Sequence, residues 1–454
     1  MDIKIKIKMI MIIFMLVFLG NVSSPLKIKA ETGLYPDGVA ARAAVLMDAE
    51  TGIVIYDKDM HERLYPASIT KLMTVLLALE YADETEGAFE ERVYFSYEAV
   101  YSLPYDSSGI AMDEGESLSF EQALYAVMLP SANEVANAVA EHIAGTAEEF
   151  AAMMTERAVE LGAYDTNFKN PHGLHDEDHY TTPYDMAIIM RELIKHPFFL
   201  TLISTAYYEI PPTEKTEETR EMYNSNKMIQ PGDYYREEVV GGKTGFTTPA
   251  GHTLVTYAEK DDIKLITAVM KCEKNVIYTD TAALLDYGFG MFKEFDIAAI
   301  YKESYPPART LPVFQKYRGR TVGLGFVEIV PAGILKAVLP KNIDVKSIVF
   351  EEKIPKSLEA PVGKGRKIGS VTASVNGFTL GEIDIEARRD VFPEDVLTLE
   401  YEEKSANFKE AALVVFSALK TMMILFALIV IAAFSIRKIN IYKRRKRRRM
   451  LSQY

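Results

Sequence analysis

The sequence contains a single cysteine, Cys272, among its 454 residues. One thiol cannot form an intramolecular disulfide, so a disulfide framework is excluded as a source of stability. Cys272 ends an alternating run that starts at Lys264 and is typical of a strand, which predicts a packed thiol rather than a nucleophile. The spacing Gly-x-x-x-x-Gly-Lys is also absent, which excludes a phosphate-binding loop of the Walker type.

Acidic residues outnumber basic ones in the body of the chain, although both ends are basic. The chain has 51 Lys and Arg and 64 Asp and Glu, and residues 1–30 and 437–454 together hold fourteen of the basic and one of the acidic residues. The body between them, residues 31–436, therefore has a net charge of −26. Such a surface repels nucleic acid and gains nothing from an anionic membrane surface. No nucleic-acid partner is expected, and membrane attachment requires an apolar segment.

Both ends carry apolar segments typical of export and anchoring. Three lysines precede an apolar run over residues 9–20, and polar residues and Ala30 follow it, which predicts a secretory signal peptide over residues 1–30. Residues 411–436 are apolar apart from Lys420, which predicts a transmembrane helix with Lys420 at the outer interface. A dense basic block follows in residues 437–454. The positive-inside rule predicts a cytoplasmic tail and an extracytoplasmic body, hence a single-pass protein of the cell membrane.

Hydrophobic periodicity in the first part of the body predicts an α+β domain. Alternating apolar residues over 43–57, interrupted at 48–52, predict a β-hairpin. Helices are predicted after Pro66 and over residues 119–144, 147–161 and 182–195, and strands over residues 253–258 and 264–272. Strands at both ends of a helical region indicate a sheet whose terminal strands pair, with a helical cluster packed on it. We assign residues 31–298 to this domain.

Beyond about residue 295 the pattern changes to short alternating runs. Strands are predicted over residues 322–329, 336–339, 347–351, 367–375, 378–386 and 396–401. The dipeptide Asn376-Gly377 is a strong signal for a hairpin turn. The pattern predicts a small all-β domain over residues 299–404, followed by a short link to the transmembrane helix.

Three short motifs occur in a fixed order within the first domain: Ser68-Ile-Thr-Lys71, Ser131-Ala-Asn133 and Lys243-Thr-Gly245. Ser-x-x-Lys occurs four times in the chain and Ser-x-Asn three times, so neither is informative alone, whereas Lys-Thr-Gly occurs once. The order and spacing of the three, in one domain-sized stretch, are typical of serine acyl-transferases that act on penicillin and on D-alanyl peptides.

The first motif supplies a candidate nucleophile and base. Ser68 and Lys71 share one face of a predicted helix, one turn apart. A serine hydroxyl is a weak nucleophile without a base, and Lys71 can be that base only if burial and a second cation lower its pKa. Lys243 could be the second cation. Taken alone, the pair could equally be a capping serine and a surface lysine.

The second motif is predicted to lie in a connection between helical segments, because it follows Pro130. There Ser131 could relay a proton to a leaving amine, and Asn133 could hydrogen-bond the peptide group of a substrate. As a bare triplet it would also suit a helix cap.

The third motif lies in a predicted strand with little side-chain bulk, Gly241–Gly245, along which an extended peptide could pair. Lys243 and Thr244 would then present a cation and a hydroxyl to a terminal carboxylate. The backbone N–H groups of Ser68 and Phe246 are candidates for an oxyanion hole.

With these residues the chain resembles the D-alanyl-D-alanine carboxypeptidases, the low-molecular-mass penicillin-binding proteins of the S11 peptidase family. The similarity is close over residues 41–292, and residues 358–390 look like the family's C-terminal β domain. Besides the three motifs, it is carried by residues 66–74, 140–145, 168–174, 179–185, 224–227 and 242–247. The family fold is the serine β-lactamase/transpeptidase-like one, an antiparallel sheet with a helical cluster.

The resemblance implies a role for each motif residue. Ser68 would be the acylated nucleophile, Lys71 the base and Ser131 the proton relay. Substrate would be bound by Asn133, Lys243, Thr244 and Gly245. The implied reaction removes the terminal D-alanine from the pentapeptide stem of peptidoglycan, and β-lactam antibiotics would acylate the same serine. No cofactor and no metal are expected. The chain departs from many relatives in having Ser-Ala-Asn in place of Ser-Gly-Asn, and a spanning rather than a membrane-surface helix.

Other functions stay open on the sequence. A class A β-lactamase shares the motifs, but no Glu-x-x-x-Asn lies between Ser131 and Lys243 to supply its deacylation base. A DD-endopeptidase or transpeptidase would use the same acyl-enzyme, and a non-catalytic peptidoglycan-binding scaffold would not need the intact motifs. Residues 172–179 hold three histidines and three carboxylates, which keeps a metal site as a minor alternative.

Overall fold

The computed structural model describes residues 36, 38–305, 309–317, 319–393 and 396–450, and the predicted signal peptide lies outside them. The chain divides into two compact units. Of the described residues, the first unit takes those up to 305 together with Pro331–Ile354 and Gly369–Ile385. The second takes residues 309–330, Pro355–Ile368 and the residues from Glu386 onward. The domain boundaries expected at 298/299 and at 404 stay predictions.

Between residues 38 and 305, which the structure describes throughout, the first unit contains ten strands and nine α-helices. The strands are β1 (Ala43–Asp48), β2 (Val54–Lys58), β3 (Arg92–Tyr94), β4 (Ser117–Ser119), β5 (Tyr207–Ile210), β6 (Arg220–Tyr223), β7 (Val239–Thr247), β8 (Gly251–Lys260), β9 (Ile263–Cys272) and β10 (Phe292–Asp296). The helices are α1 (Lys71–Glu84), α2 (Tyr97–Tyr101), α3 (Phe120–Met128), α4 (Asn133–Ala144), α5 (Ala147–Leu161), α6 (Pro183–Leu193), α7 (Pro197–Ser204), α8 (Val276–Met291) and α9 (Ile297–Ser304).

One antiparallel sheet of five strands organises this unit, in the order β2-β1-β9-β8-β7. The predicted hairpin is confirmed as β1 and β2, and the first strand pairs with a strand more than two hundred residues later, with Val45 opposite Ala268. The expectation that the terminal strands pair is therefore confirmed, and with it the α+β class. The strand that carries Lys-Thr-Gly, β7, lies at one edge of the sheet.

Alternation along the strands creates a core on each face of the sheet. Val45 and Met47 point into a core shared with the helical cluster, whereas Leu46 points into a second core with Leu284 of α8. This follows from the two-residue period of a strand, which sends neighbouring side chains to opposite faces. Helix α1 lies inside the larger core, since all its residues from Lys71 to Leu79 are buried. A helix that is buried on all sides is expected to be apolar all round, which makes its lysine exceptional.

Local signals set most helix ends. Thr182 caps α6, and Ser119 and Gln122 form a capping box at the start of α3. The connection predicted after Pro130 is confirmed, because α3 ends at Met128 and α4 begins at Asn133. Pro130 has no N–H to donate and Ser131 has a φ of +68°, so one helix cannot continue through these two residues.

The later part of the described chain is rich in strands, as predicted. These are β11 (Thr310–Tyr317), β12 (Arg320–Ala332), β13 (Lys336–Pro340), β14 (Ile348–Lys353), β15 (Leu358–Glu359), β16 (Lys367–Val375) and β17 (Phe378–Ala387). In the first unit β10 pairs with β13 and β14 with β16; in the second β11 pairs with β12. The predicted turn at Asn376-Gly377 joins β16 to β17, with both residues at positive φ.

The strand predicted over residues 396–401 is wrong, because these residues begin a helix, α10 (Val396–Met450). A short run of alternating apolar residues does not distinguish strand from helix. Here it runs into a segment rich in Glu, Lys and Ala, and extending an existing helix by one more residue costs far less than nucleating one.

Helix α10 contains the predicted transmembrane segment. Within the described residues it is the one helix long and apolar enough to cross a membrane, over Asn407–Arg445, and it contains an 18-residue window with a mean hydropathy of 2.5. Its apolar side chains are exposed, Phe426 by 69% for example. An exposed apolar helix of this length fits a membrane anchor. The side of the membrane on which its basic end lies stays a prediction.

Two neighbouring methionines in α5 test the assignment of the helical core. Met154 is fully buried, whereas Met153 is 40% exposed. We expect Met154→Ala to destabilise the first unit by about 2–5 kcal/mol, because it leaves a cavity in a close-packed core, and Met153→Ala by less than about 1 kcal/mol. Thermal unfolding of the full chain in detergent, followed by circular dichroism, measures both. Equal shifts of the unfolding midpoint would contradict the assigned burial.

Candidate active site

Ser68 lies in a tight turn directly before α1. Residues Ala67–Thr70 form a 3-10 turn, and Lys71 is the first α-helical residue, so the helix start predicted after Pro66 is confirmed with a 3-10 turn in front. Ala67 has a φ of +52°, which is sparsely populated by residues with a side chain. The hydroxyl of Thr253 on β8 donates to the carbonyl of Pro66 at 2.9 Å. This contact joins the turn to the sheet.

The ammonium group of Lys71 is buried beneath Ser68 and holds three acceptors. It donates to the Ser68 hydroxyl at 3.3 Å, to Oδ1 of Asn133 at 2.6 Å and to the carbonyl of His172 at 2.8 Å. Its side chain has no solvent exposure. Three acceptors fix the position of the nitrogen, and the longest of the three contacts leads to Ser68.

The two buried lysines, Lys71 and Lys243, both have lowered pKa values. Burial lowers the pKa of Lys71 well below its ordinary value, the charge of Lys243 lowers it further, and Glu134 opposes both. Burial also lowers the pKa of Lys243, to about 7. A buried cation next to another is costly, so burial and the charge of Lys243 both favour the neutral amine of Lys71. The second cation expected from the sequence is therefore present beside Lys71.

Ser131 occupies a strained corner between α3 and α4, in the connection where the sequence predicts it. Its φ is +68°, and its hydroxyl is buried with no hydrogen-bond partner among the described residues. Asn133 is the first residue of α4 and is 3% exposed, and its backbone N–H donates to the carbonyl of Ser108 at 2.8 Å. A buried hydroxyl without a partner and a non-glycine residue at positive φ are both features that concentrate at functional sites.

Strand β7 brings the third motif against the first. A Cβ on Gly245 would lie 2.8 Å from the backbone nitrogen of Ser68, so the close approach requires glycine. The hydroxyl of Thr244 hydrogen-bonds that of Ser225 at 2.8 Å, and the ammonium of Lys243 donates to the carbonyl of Thr244 at 3.1 Å. The edge of the sheet therefore runs directly past the serine.

An open cleft of about 330 Å³ lies where the three motifs meet. Of the predicted site residues, those lining it are Ser68, Ser131, Thr244, Gly245 and Phe246. The others, Lys71, Asn133 and Lys243, are buried, and the first two are joined by the hydrogen bond already described. All the residues singled out from the sequence thus come together at one place.

The cleft wall carries cationic side chains that sequence reasoning missed. Lys227 and Lys274 line it, and the ammonium of Lys227 lies 5.8 Å from the ring centre of Tyr234. Lys227 ends the segment 224–227 that carries part of the family resemblance, but nothing in the local sequence gives either lysine a role, since isolated lysines are usually solvated. In a body with a net charge of −26, cations at the cleft focus a positive potential there.

The loop considered for a metal packs against the first motif and contacts the buried amine of Lys71. His172 provides the carbonyl that accepts from Lys71, and a Cβ on Gly173 would lie 1.9 Å from the carbonyl oxygen of Ala67. Both ring nitrogens of His179 are hydrogen-bonded, to the Thr70 hydroxyl and to the backbone N–H of Lys169. No group of three or more metal-ligating side chains was found in the part of the chain that the structure describes.

Comparison with known proteins agrees with this geometry. The family model of peptidase S11, described as D-alanyl-D-alanine carboxypeptidase, matches residues 30–274, which is more than half of the chain. The D-alanyl-D-alanine carboxypeptidase DacF of Bacillus subtilis is 31% identical over 77% of this chain and 86% of its own length. The corresponding DacA of Haemophilus influenzae is 27% identical over 79% of this chain and 87% of its own.

Solved structures show the same fold. Penicillin binding protein 5 of Haemophilus influenzae has a TM-score of 0.63 and 26% identity, covering 80% of this chain and all of that one. PBP3 of Streptococcus pneumoniae, at 24% identity, has a TM-score of 0.64 over 78% of this chain. At that identity the second likeness is one of fold. Given the family match over residues 30–274 and the relatives aligned over most of its length, the chain belongs to the D-alanyl-D-alanine carboxypeptidase family, peptidase S11.

Proposed function

We propose that this protein is a membrane-anchored, serine-type DD-carboxypeptidase that removes the terminal D-alanine from peptidoglycan stem pentapeptides and is acylated by β-lactam antibiotics. The observation that carries the proposal is the fully buried amine of Lys71, held within hydrogen-bonding distance of Ser68 in an open cleft. A buried amine of lowered pKa is the base that a serine nucleophile needs. The family names of its relatives agree with this chemistry.

Substrate binding follows from the free edge of the sheet. An extended peptide can pair with the backbone of β7, which lies last in the order of its sheet. Thr244 then offers its hydroxyl, and Lys243 its charge, to the terminal carboxylate of the peptide. Lys227 and Lys274 on the cleft wall add positive potential toward the same anion. Asn133 hydrogen-bonds the peptide group on the other side.

Acylation uses Ser68 and Lys71. The neutral amine of Lys71 takes the hydroxyl proton while Oγ of Ser68 attacks the carbonyl carbon of the penultimate D-alanine. The N–H groups of Ser68 and Phe246 stabilise the negative charge that develops on the carbonyl oxygen. The C–N bond then breaks, and the leaving amine receives a proton from Lys71 through the hydroxyl of Ser131. This relay is supported by the buried hydroxyl of Ser131, which has no hydrogen-bond partner among the described residues and can therefore bond to the amine and to Lys71.

Deacylation repeats the steps with water. Lys71, neutral again, takes a proton from a water molecule that attacks the ester carbonyl, and the Ser68 oxygen leaves with that proton. The products are a stem tetrapeptide and the free enzyme. A DD-endopeptidase or transpeptidase would share the acyl-enzyme and differ only in the leaving group or the acceptor.

The ends of the chain fit an exported, anchored enzyme. The signal peptide over residues 1–30 would direct export, and the segment 411–436 within α10 would hold the body, residues 31–298 and 299–404, at the outer face of the cell membrane. The basic residues of 437–454 favour a cytoplasmic tail. The substrate, peptidoglycan, lies on the side where the cleft would then be.

The first prediction concerns the nucleophile. Full-length protein in detergent should release one D-alanine per stem pentapeptide ending in D-Ala-D-Ala, and Ser68→Ala should reduce this rate by roughly 10³-fold or more and abolish covalent labelling by penicillin. Free D-alanine and the product mass measure the reaction. Ser102→Ala, an exposed serine outside the cleft lining, is the control. Labelling without D-alanine release would turn the assignment toward an endopeptidase or transpeptidase, and absence of labelling in folded protein toward a scaffold.

The second prediction concerns the pH dependence of acylation. Lys71 acts in its neutral form, so the rate should rise with pH through the pKa of Lys71. The charge of Lys243 lowers this pKa. In Lys243→Met the rising limb of the pH–rate profile of acylation should therefore move to higher pH by roughly one unit, and substrate binding should weaken. The second-order rate of acylation by a fluorescent penicillin, measured from pH 5 to 10, reports the limb. A limb at the wild-type position would show that the two lysines are not coupled.

The third prediction concerns the loop behind the nucleophile. Gly173 and Gly162 both have positive φ, +87° and +91°, but only at Gly173 would a Cβ collide with the chain. Gly173→Ala should displace the carbonyl of Ala67 and lower the acylation rate by roughly 10²-fold, whereas Gly162→Ala bears only the backbone strain. Acylation kinetics and the unfolding midpoint, measured on both variants, separate the two effects. Similar acylation rates in the two would mean that the loop does not position Ser68.

A further inference from the structure

Glu134 is a buried carboxylate next to the second motif that the proposed mechanism does not use. It follows Asn133 in the first turn of α4 and is 6% exposed. Its Oε1 accepts the backbone N–H of Ile110 at 2.6 Å, and the backbone N–H of Met112 also favours the ionised carboxylate by lowering its pKa. A Cβ on Gly109 would lie 2.7 Å from Oε2, so this segment of chain is packed directly on the carboxylate. Burying a charged group is costly unless it is paired and hydrogen-bonded, so a buried carboxylate at this position calls for an explanation.

The segment held by Glu134 is a wall of the cleft. Ser108 lines the cleft, and its carbonyl accepts the N–H of Asn133. On its other side, the guanidinium of Arg220 donates to the carbonyls of Ile110 and Ala111, each at 3.0 Å, and is itself paired with the buried Glu116 at 2.9 Å. The wall is therefore tied to α4 through the N–H of Ile110 and the carbonyl of Ser108, and to β6 through the carbonyls of Ile110 and Ala111.

Glu134 also acts on Lys71. The charged groups facing this amine come from three elements: Lys243 on β7, Glu134 on α4, and the imidazole of His172 on the loop, whose own pKa is lowered well below its usual value by burial and then by Lys71. Of these, Glu134 alone favours the protonated amine. Burial raises the pKa of Glu134, whereas the N–H groups of Ile110 and Met112 and the charge of Lys71 oppose this rise. Oxygens that accept from backbone N–H groups favour the ionised carboxylate.

We infer that Glu134 is a positioning residue with two tasks: it fixes the cleft wall at residues 108–112, and its negative charge opposes the positive charge of Lys243 at Lys71. Two buried lysines without a carboxylate would repel each other, and the wall would lose its acceptor. One side chain in the first turn of α4 provides both the charge and the acceptor. The inference rests on the proposed roles of Ser68 and Lys71.

The two tasks have different kinetic signatures. In Glu134→Gln the charge is lost, so the rising limb of the acylation rate should move to lower pH by roughly half a unit or more, in the direction opposite to Lys243→Met. The side-chain amide of glutamine has one acceptor oxygen where the carboxylate has two. It therefore holds the backbone N–H groups of the wall less well, and the plateau rate should fall by roughly five-fold. In Glu134→Asp the charge remains, so the limb should stay near its wild-type position, while the shorter side chain lowers the plateau.

The experiment uses the full chain in detergent and acylation by a fluorescent penicillin from pH 5 to 10, with the unfolding midpoint of each variant. Glu148→Gln, which removes an exposed carboxylate from α5, is the matched control and should behave as wild type. A limb that stays at its wild-type position in Glu134→Gln, or one that moves equally in Glu148→Gln, would overturn the charge role. A plateau unchanged in Glu134→Asp would overturn the positioning role.

A second variant keeps the test decisive if Glu134→Gln does not fold. Gly109→Ala leaves every charge in place but puts a methyl group against the carboxylate, and Gly109 is not among the residues at positive φ. It should lower the plateau rate, and wild-type kinetics in Gly109→Ala would overturn the inference. Failure of the proposed function looks different. Wild-type protein that is not acylated at all would refute the roles of Ser68 and Lys71, whereas acylation without D-alanine release would refute only the carboxypeptidase reaction.

Discussion

The burial of two lysine amines against one sheet is the constraint on which the site depends. An amine without solvent exposure is stable only if it loses its proton or finds acceptors, and Lys71 has three of them. Those acceptors come from the 3-10 turn, from α4 and from a loop about a hundred residues later in the chain. Each of these elements must therefore be in place before the amine can be buried, so that folding and the chemistry of the site are coupled.

Close backbone approach is the second constraint, and glycine meets it from two sides. Gly245 lets the edge strand pass the nitrogen of Ser68, and Gly173 lets the loop pack on the carbonyl of Ala67. The turn that carries the nucleophile is thus held between strand and loop by backbone atoms, without side chains that could relax. A fixed position of this turn suits a reaction in which an oxygen must attack one carbonyl carbon in a defined direction.

The sequence predicted the parts of the site that lie in short local motifs, and it predicted them because their spacing is itself chemical. Ser68 and Lys71 are one helical turn apart, and Pro130 marks the corner that carries Ser131. It could not predict His172 or Glu134 as neighbours of Lys71, since a backbone carbonyl has no sequence signature and a glutamate in a first helical turn is common. The same limit applies to residues 396–401. Their short apolar run fits the period of a strand as well as that of a helix, and they are helical because they begin the long helix α10.

The distribution of charge connects the site to its surroundings. The body carries a net charge of −26, yet Lys227 and Lys274 line the cleft, and Lys71 and Lys243 are buried at the motifs that meet there. A low-dielectric cleft lined by one sign of charge concentrates ligands of the opposite sign, while the acidic remainder disfavours unspecific contact with other polyanions. Behind the cleft wall the buried Glu134 opposes the effect of Lys243 on the proton affinity of Lys71. The field that attracts an anionic peptide end and the field that tunes the base are therefore set by the same few side chains.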